Sequence, residues 1–220
     1  ASRVYNYAIK MEHTHQNPWA KIERYSTPQR KVVWQHSDVI RFLDKAYSDY
    51  EYRNVGLIVQ MAYEWCQRLG DMRTLQWENI DLATRVLTLE QSKRRADVSL
   101  PISDELVTML NEQRKDFGFQ EYVVPHPNPT MGKYEPYAME RLSKVGRRVM
   151  RLAGLPEELR LMDLRRTGVT QMIDSGVPMG QLMSVTGHNN VSSVKPYMKH
   201  TYDSANNALT QRNIRVQSST

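Results

Sequence analysis

Three side chains that could act together on a phosphate lie in one short segment near the C-terminal end of the chain. Arg165, His188 and Tyr197 occur within DLRRTGVTQMIDSGVPMGQLMSVTGHNNVSSVKPY, a stretch with a helical pattern. The segment brings a guanidinium, an imidazole and a phenol into one region. A phenol held close to fixed cations is suited to attack on a phosphodiester.

Two further cations stand upstream, Arg68 in WCQRLGDMRTLQWENID and Lys93 in QSKRRADVSLP. Cleaving a phosphodiester without a metal ion needs a nucleophile, cations around the nonbridging oxygens and an acid for the departing oxygen. Arginine suits the second role because its planar fork donates bidentately to phosphate and stays charged at any working pH. The hydroxyl of Tyr197 titrates near ~10 in water, so it must lose its proton during attack or be held among cations.

The composition favours a polyanionic partner. The net charge is +6 and the sequence pI is about 9.4, values that are compatible with DNA, RNA or an acidic membrane. No apolar run approaches the ~20 residues of a spanning helix, and the first residues lack the apolar stretch of a secretory signal. We therefore expect an intracellular protein without a membrane segment.

Metal and nucleotide sites are not expected. Cys66 is the single cysteine, which excludes a disulfide framework and a cysteine-based metal cluster and fits a reducing compartment. His13 and His15 resemble a short metal-binding pair, but no cysteine partner lies nearby, so they indicate an exposed tail. No glycine-rich loop that could cradle nucleotide phosphates occurs. We expect no metal and no other cofactor.

The chain divides into three parts. Residues 1–30 indicate the end of a preceding domain and a linker, because Xaa-Pro steps at Asn17 and Thr27 break the helical pattern. A compact domain is expected over residues 31–200, followed by a C-terminal helix and tail over 201–220. Since the chain opens at an alanine, we expect a fragment that lacks an N-terminal domain.

Apolar spacing predicts helices at the start of the compact domain. Ser37 and Asp38 can cap a first helix, and a second helix is expected to continue to Gly70. Arg68 would then stand near the end of this second helix. The fold class is α+β and mainly α.

A hairpin interrupts the helices. The β-branched runs 85–89 and 97–100 flank the polar SKRRA and predict two antiparallel strands with Lys93 in their turn. Helical patterns return over 106–110 and from about 136 to 153, and most of the remainder is helical.

The long helix near residues 136–153 carries two stripes. One is apolar and predicts core: Leu142, Val145, Val149 and Leu152. A neighbouring face is cationic: Arg141, Lys144, Arg148 and Arg151. This second stripe is either a solvated face or a row that straddles a phosphate backbone. Arg94, in the predicted hairpin turn, joins the candidate DNA contacts.

Together these segments resemble the catalytic domain of the tyrosine recombinases, the phage-integrase family, over nearly all of residues 31–200. In that family an arginine, a small residue and an acid precede a Leu-x-Trp-x-Asp-Ile-Asp tail, and here Arg68-Leu-Gly-Asp71 precedes LQWENID. The family's hairpin lysine precedes a strand ending in Val-Pro-Leu, and here Lys93 precedes Leu-Pro-Ile.

The second box of the family begins His-x-x-Arg and continues to a Gly-His and the nucleophilic tyrosine. Here Arg165, His188 and Tyr197 occupy the last three of these positions. Taken singly, Arg68 is equally a helix cap or ion-pair partner, Lys93 a solvated turn, and Tyr197 one of 12 tyrosines. The order and spacing of the whole set carry the resemblance.

The resemblance implies the DNA breaking-rejoining fold and its chemistry. Tyr197 would attack the scissile phosphate to give a 3′-phosphotyrosyl bond and a free 5′ hydroxyl. Arg68, Arg165 and His188 would hold the phosphate, and Lys93 would protonate the leaving oxygen. No ATP or metal is then required.

The resemblance also implies partners, namely double-stranded DNA and, on DNA, three further copies of the chain in a homo-tetramer; the free protein is expected to be a monomer. The single cysteine fits the host-cell cytoplasm and its nucleoid. The segment Asp203 to Arg212 is the candidate docking helix for a neighbouring subunit, through Ala205, Ala208 and Leu209.

One position departs from the family. Met162 stands where the second box opens with histidine, and a thioether cannot shuttle a proton. Loss of such a group costs up to ~10²–10⁴-fold in rate, unless His188 or bulk water takes over the role. The alternatives are therefore a catalytically weakened, recombinase-like DNA-binding module and a type IB topoisomerase, which shares the chemistry.

Overall fold

The computed structural model describes residues 2–22, 30–93, 95–198 and 202–217. The chain divides into two units, Ala1–Lys31 and Val32–Thr220. In the first unit, helix α1 (Ser2–Lys10) is followed by a loop that folds back on it. The side-chain amide of Asn17 donates to the backbone oxygen of Ser2 at 3.3 Å and to Oδ1 of Asn6 at 2.6 Å.

The second unit is mainly helical, with one small sheet. Its described helices are α2 (His36–Tyr47), α3 (Tyr50–Glu64), α4 (Leu69–Arg73), α5 (Asp104–Phe117), α6 (Met139–Leu152), α7 (Leu164–Asp174), α8 (Met179–Thr186) and α9 (Tyr202–Gln217). Short 3₁₀ turns also occur, at Trp77–Asn79, Leu161–Asp163, Val191–Ser193 and Lys195–Tyr197. The mainly α fold that the sequence predicts is confirmed. None of the described helices is both long and apolar enough to cross a bilayer.

Helix α3 is the centre of the domain. Every residue from Asn54 to Ala62 is buried, and α2, α4, α6 and α7 all contact this helix. A helix that is apolar nearly all round is one that other elements cover on every side.

The neighbouring α2 begins at His36, with Gln35 as its N-cap, and the Asp38 carboxylate accepts from the Gln35 backbone N–H at 3.1 Å.

The second predicted helix ends earlier than the sequence suggests. Helix α3 stops at Glu64, and Cys66 adopts a left-handed φ of 52°, which breaks the helical hydrogen-bond ladder. Arg68 is therefore the N-cap residue of α4 and does not lie near the end of α3. The expected continuous helix to Gly70 is wrong.

The sheet is three-stranded and antiparallel, in the order β1 (Ile80–Asp81), β2 (Val86–Glu90) and β3 (Asp97–Pro101). The predicted hairpin is confirmed, with Leu87 opposite Leu100 and Leu89 opposite Val98. These four side chains are buried, because alternate residues of a strand face the same side.

Helix α6 begins at Met139, three residues later than the predicted start near 136. Leu142 and Val149 are buried as expected, but Leu152 is 53% exposed. The helix ends at Leu152, and after Gly154 the chain turns back so that Leu155 takes the buried position. The apolar stripe is thus correct except at its last member.

Close packing of α7 on the α3–α4 break predicts a stability effect at Gly168. A Cβ on this residue would lie 2.3 Å from the Cys66 sulfur, whereas one on Gly180 in α8 would meet nothing within 4 Å. We expect Gly168→Ala to lower the free energy of unfolding by about 1–3 kcal/mol. Gly180→Ala, the matched control, should be neutral or stabilise by up to about 1 kcal/mol. Thermal unfolding of both variants tests this, and equal Tm values would contradict it.

Candidate active site

The first arginine of the candidate site lies at the break between α3 and α4. Arg68 is the N-cap residue of α4, with a side chain that is 23% exposed. Its Nη1 lies 3.6 Å from Oδ2 of Asp71, a carboxylate that is almost fully buried. The other oxygen of Asp71 accepts from both the backbone N–H and the hydroxyl of Ser92. Asp71 thereby connects the segment of Arg68 and α4 to the hairpin turn.

The second arginine is buried within α7. Arg165 is 8% exposed, and its Nη2 donates to the backbone oxygen of Thr186 at 2.5 Å. Burial, and secondarily the nearby charge of Arg68, lower the pKa of Arg165 to about 10. The guanidinium therefore remains protonated at neutral pH, and an added anion between the two arginines would be strongly stabilised.

Two buried glutamines join these arginines, and the sequence analysis missed both. Oε1 of Gln91 accepts from Nη1 of Arg68 at 2.8 Å. The Gln91 amide donates to Oε1 of Gln67 at 2.6 Å, and that same oxygen accepts from Arg165 Nη1 at 3.3 Å. Strand alternation was the available signal, because Gln91 continues the inward positions of Leu87.

Glycine and histidine follow at the end of α8. Gly187 ends the helix with a left-handed φ of 63°, and a Cβ there would lie 2.7 Å from the Gln91 amide nitrogen. Nδ1 of the buried His188 lies 2.7 Å from Oγ1 of Thr186. That hydroxyl donates to the Leu182 backbone oxygen at 2.8 Å, so Nδ1 of His188 is the donor toward it.

Tyr197 ends a 3₁₀ turn and is half-buried beside this group. Its ring packs against a small apolar cluster made of Val169, Leu182 and Val194. The ring centroid lies 6.2 Å from that of His188. The guanidinium carbon of Arg166 lies 4.9 Å from the phenol ring, a contact that the sequence analysis did not anticipate. Among the smaller influences on Arg165, its interaction with Tyr197 opposes the lowering of the Arg165 pKa, so the two side chains lie within electrostatic reach.

The remaining predicted site residues lie at the margin. Lys93 is exposed in the hairpin turn, next to the Ser92 that bonds to Asp71. Arg94 lies outside the described residues. Met162 is 73% exposed in the turn before α7. It lines a cavity of about 260 Å³ together with Arg68 and Arg165.

The cationic stripe of α6 faces solvent. All four of its members line a groove of about 570 Å³: Arg141, Lys144, Arg148 and Arg151. Arg148 lies 3.8 Å from the Glu51 carboxylate and over the ring of Tyr52, while the other three carry no ion pair with a described acidic residue. Glu51 and Glu140 also line the groove, so its four cations stand against two carboxylates and the groove has a net positive charge.

Metal ligands are not grouped in the described part of the chain, where no three His, Cys, Asp or Glu side chains are placed to share an ion. Positive charge at this site comes from guanidinium groups. The arrangement can bind a phosphate between two arginines and place a phenol beside it.

Known proteins resemble this chain in sequence. The sequence profile of the phage integrase family matches residues 34–204. A candidate integrase/recombinase, y4gC of Sinorhizobium fredii, is 26% identical over 148 residues, which make up 64% of this chain and 74% of that protein. The integrase of Salmonella phage P22 is 23% identical over 146 residues, 64% of this chain and 38% of that protein.

Solved structures show the same fold. A lambda integrase dimer bound to a COC′ core site matches with a TM-score of 0.67 at 19% identity. The match covers 90% of this chain and 56% of the lambda chain, so this chain spans little more than half of that protein's length. Lambda integrase has also been solved as a tetramer bound to a Holliday junction.

Proposed function

Because this chain belongs to the phage integrase family, we propose that it is the catalytic part of a site-specific recombinase that cleaves and rejoins double-stranded DNA through a 3′-phosphotyrosyl intermediate. One observation carries the proposal. Arg68 and Arg165 share a buried hydrogen-bond network, and the half-buried Tyr197 stands at its edge. This is the arrangement that attack of a phenol on a phosphodiester requires.

The proposed reaction uses groups of this chain and water. Tyr197 gives its hydroxyl proton to His188 or to bulk water as its oxygen attacks phosphorus. The bond from phosphorus to the 5′ oxygen breaks, and Lys93 gives that oxygen a proton. The two arginines stabilise the charge that builds on the nonbridging oxygens, and His188 binds the same phosphate. The phosphotyrosyl bond retains the energy of the broken one, so a 5′ hydroxyl can reverse the reaction without ATP.

We also propose how the flanking parts act. Residues 1–30 would be the end of a core-binding domain and its linker, and 31–200 the catalytic domain. Helix α9 would dock on a neighbouring subunit, since Ala205, Ala208 and Leu209 are exposed on it. The assembly on DNA would be a homo-tetramer, as in the lambda integrase complex, and the free protein a monomer in the nucleoid-containing cytoplasm.

The nucleophile can be tested with a nicked suicide substrate, which traps the covalent adduct. We expect the unaltered protein to form an adduct on its target and Tyr197→Phe to form none above background, because the attacking oxygen is gone. Tyr134→Phe is the control, since Tyr134 packs against Phe117 and Phe119 and lies outside the site. Stable DNA binding without any adduct would identify a binding module, and relaxation of plasmid DNA without site dependence would identify a topoisomerase.

Met162 provides a second test. Its side chain is exposed, so a histidine fits there without repacking. We expect Met162→His to raise the single-turnover cleavage rate by up to about 10²-fold, because it restores a group that can accept the phenol proton. Met162→Gln, which is polar but does not titrate, should leave the rate unchanged. An unchanged or lower rate with histidine would show that the site is built around methionine.

The α6 groove predicts a change in salt dependence. Each lost phosphate contact lowers the slope of log affinity against log salt by about 0.9. Arg141→Ala with Lys144→Ala should therefore reduce the slope by about 2. The control, Lys115→Ala with Lys133→Ala, removes the same charge from other exposed surfaces and should change it little. Filter-binding or anisotropy titrations between low and moderate salt measure both, and equal slopes would assign the stripe to a solvated face.

A further inference from the structure

The buried amides of Gln67 and Gln91 form a bridge between the two arginines, and every polar atom of that bridge is used. Nε2 of Gln67 donates to the backbone oxygens of Trp65 at 2.8 Å and Val185 at 2.7 Å. Nε2 of Gln91 donates to Oε1 of Gln67 at 2.6 Å and to the Thr186 backbone oxygen at 2.9 Å. Both side chains are fully buried.

These bonds fix which way each amide faces. Both N–H groups of each glutamine meet acceptors, so the amide oxygens must face the guanidiniums. If the side-chain amide of Gln91 were rotated by 180°, its NH₂ group would point at Nη1 of Arg68. Two hydrogen-bond donors would then face each other in the protein interior. Loss of a buried partner of this kind costs far more than the bond itself contributes. The bridge therefore has one arrangement.

The acceptors in the bridge are neutral. Oε1 of Gln91 binds Arg68 and Oε1 of Gln67 binds Arg165, and neither removes positive charge. Asp71 is the carboxylate that approaches Arg68, at 3.6 Å. The effect of Arg68 on Arg165, whose pKa it lowers, shows that the two positive charges still act on each other. An arriving phosphate would relieve that repulsion.

The bridge also ties three separate segments together. Gln67 lies in the break after α3, Gln91 follows β2, and the accepting carbonyls of Val185 and Thr186 lie at the end of α8. His188 comes directly after Gly187, the C-cap residue of α8. A shift of any segment would thus move one phosphate-binding group relative to the others.

We propose that Gln67 and Gln91 are positioning residues that hold Arg68 and Arg165 at a fixed separation and leave their charge available for the scissile phosphate. This inference rests on the proposed function, because it takes the phosphodiester as the ligand. The glutamines themselves touch no reacting atom. They act through the arginines.

Methionine substitutions test the proposal, because methionine has a similar length without the hydrogen bonds. We expect Gln67→Met and Gln91→Met each to lower the single-turnover cleavage rate on a nicked substrate by about 100-fold, the effect of misplacing a group by about 1 Å. DNA affinity should change by less than about threefold, since the loss falls in the transition state. In an Arg165→Met background, Gln67→Met should cause little further loss, because the guanidinium that Gln67 holds is already gone.

The matched control is Gln113, another buried glutamine with the same bonding pattern. Its Nε2 donates to Asn54 and to the Val123 backbone oxygen, and its Oε1 accepts from Arg53 at 3.4 Å, outside the site. Gln113→Met should cost stability through the same lost bonds but leave cleavage unchanged. If the site variants lower the cleavage rate no more than this control does, the proposal is overturned.

A readout independent of DNA separates this inference from the proposed function. In the full chain labelled with ¹⁵N-arginine, the guanidinium N–H signals of Arg68 and Arg165 should be resolved, because bound guanidiniums rotate slowly. The Arg68 signals should collapse in Gln91→Met, which removes the amide oxygen that accepts from this side chain. Arg68 signals that survive the substitution would overturn the bridge even if cleavage is seen. If the unaltered protein forms no adduct, the proposed function fails, while the spectra still decide whether the glutamines hold the arginines.

Gln91→Glu is a second variant that retains size and polarity. Its carboxylate can still accept from Arg68, but it adds negative charge and gives up the donors to Gln67 and Thr186. We expect a folded protein in which cleavage falls and the Arg68 signal remains resolved. An unchanged cleavage rate would show that the neutrality of the bridge is irrelevant.

Discussion

Two guanidinium groups, the buried Arg165 and the partly exposed Arg68, are held by one hydrogen-bond network, with the Asp71 carboxylate as the nearby negative charge. Like charges in a low-dielectric setting repel strongly, and burial removes the water that would otherwise stabilise each. The domain meets this constraint with neutral oxygens, from the amides of Gln67 and Gln91 and from the Thr186 carbonyl, and with the Asp71 carboxylate beside Arg68. In the proposed reaction a phosphodiester would supply one further negative charge between the two positive ones.

The break after α3 follows from the same need. After the left-handed turn at Cys66 the chain changes direction, so that Arg68 takes the N-cap position of α4 and its side chain donates to Gln91. Periodicity could not reveal this, because the apolar pattern continues through Trp65 and Leu69, both of which are buried. Helix α3 ends at Glu64, just before the left-handed Cys66, whose side chain lies against Gly168 of the distant helix α7.

Much of the fold was nonetheless accessible from sequence. The hairpin, the central helix and most of the apolar stripe of α6 follow from local spacing, because each buries one face against a neighbour. The arrangement of the reactive groups was accessible only through the family pattern of Arg68, Arg165, His188 and Tyr197, whose roles here stay a proposal. The glutamines and Arg166 were missed because their importance arises from contacts between segments that are distant in sequence, and glutamine carries no chemistry that would single it out.

Tyr197 lies outside the main apolar core of the domain. Its ring packs on a satellite cluster of Val169, Leu182 and Val194 that is separate from the main core. Undocking the turn that carries the phenol would uncover few apolar atoms and leave the main core untouched, so we expect local opening to cost less free energy here than in the centre of the domain. If Tyr197 is the nucleophile, as proposed, it could then be withdrawn and returned while the two arginines stay in place.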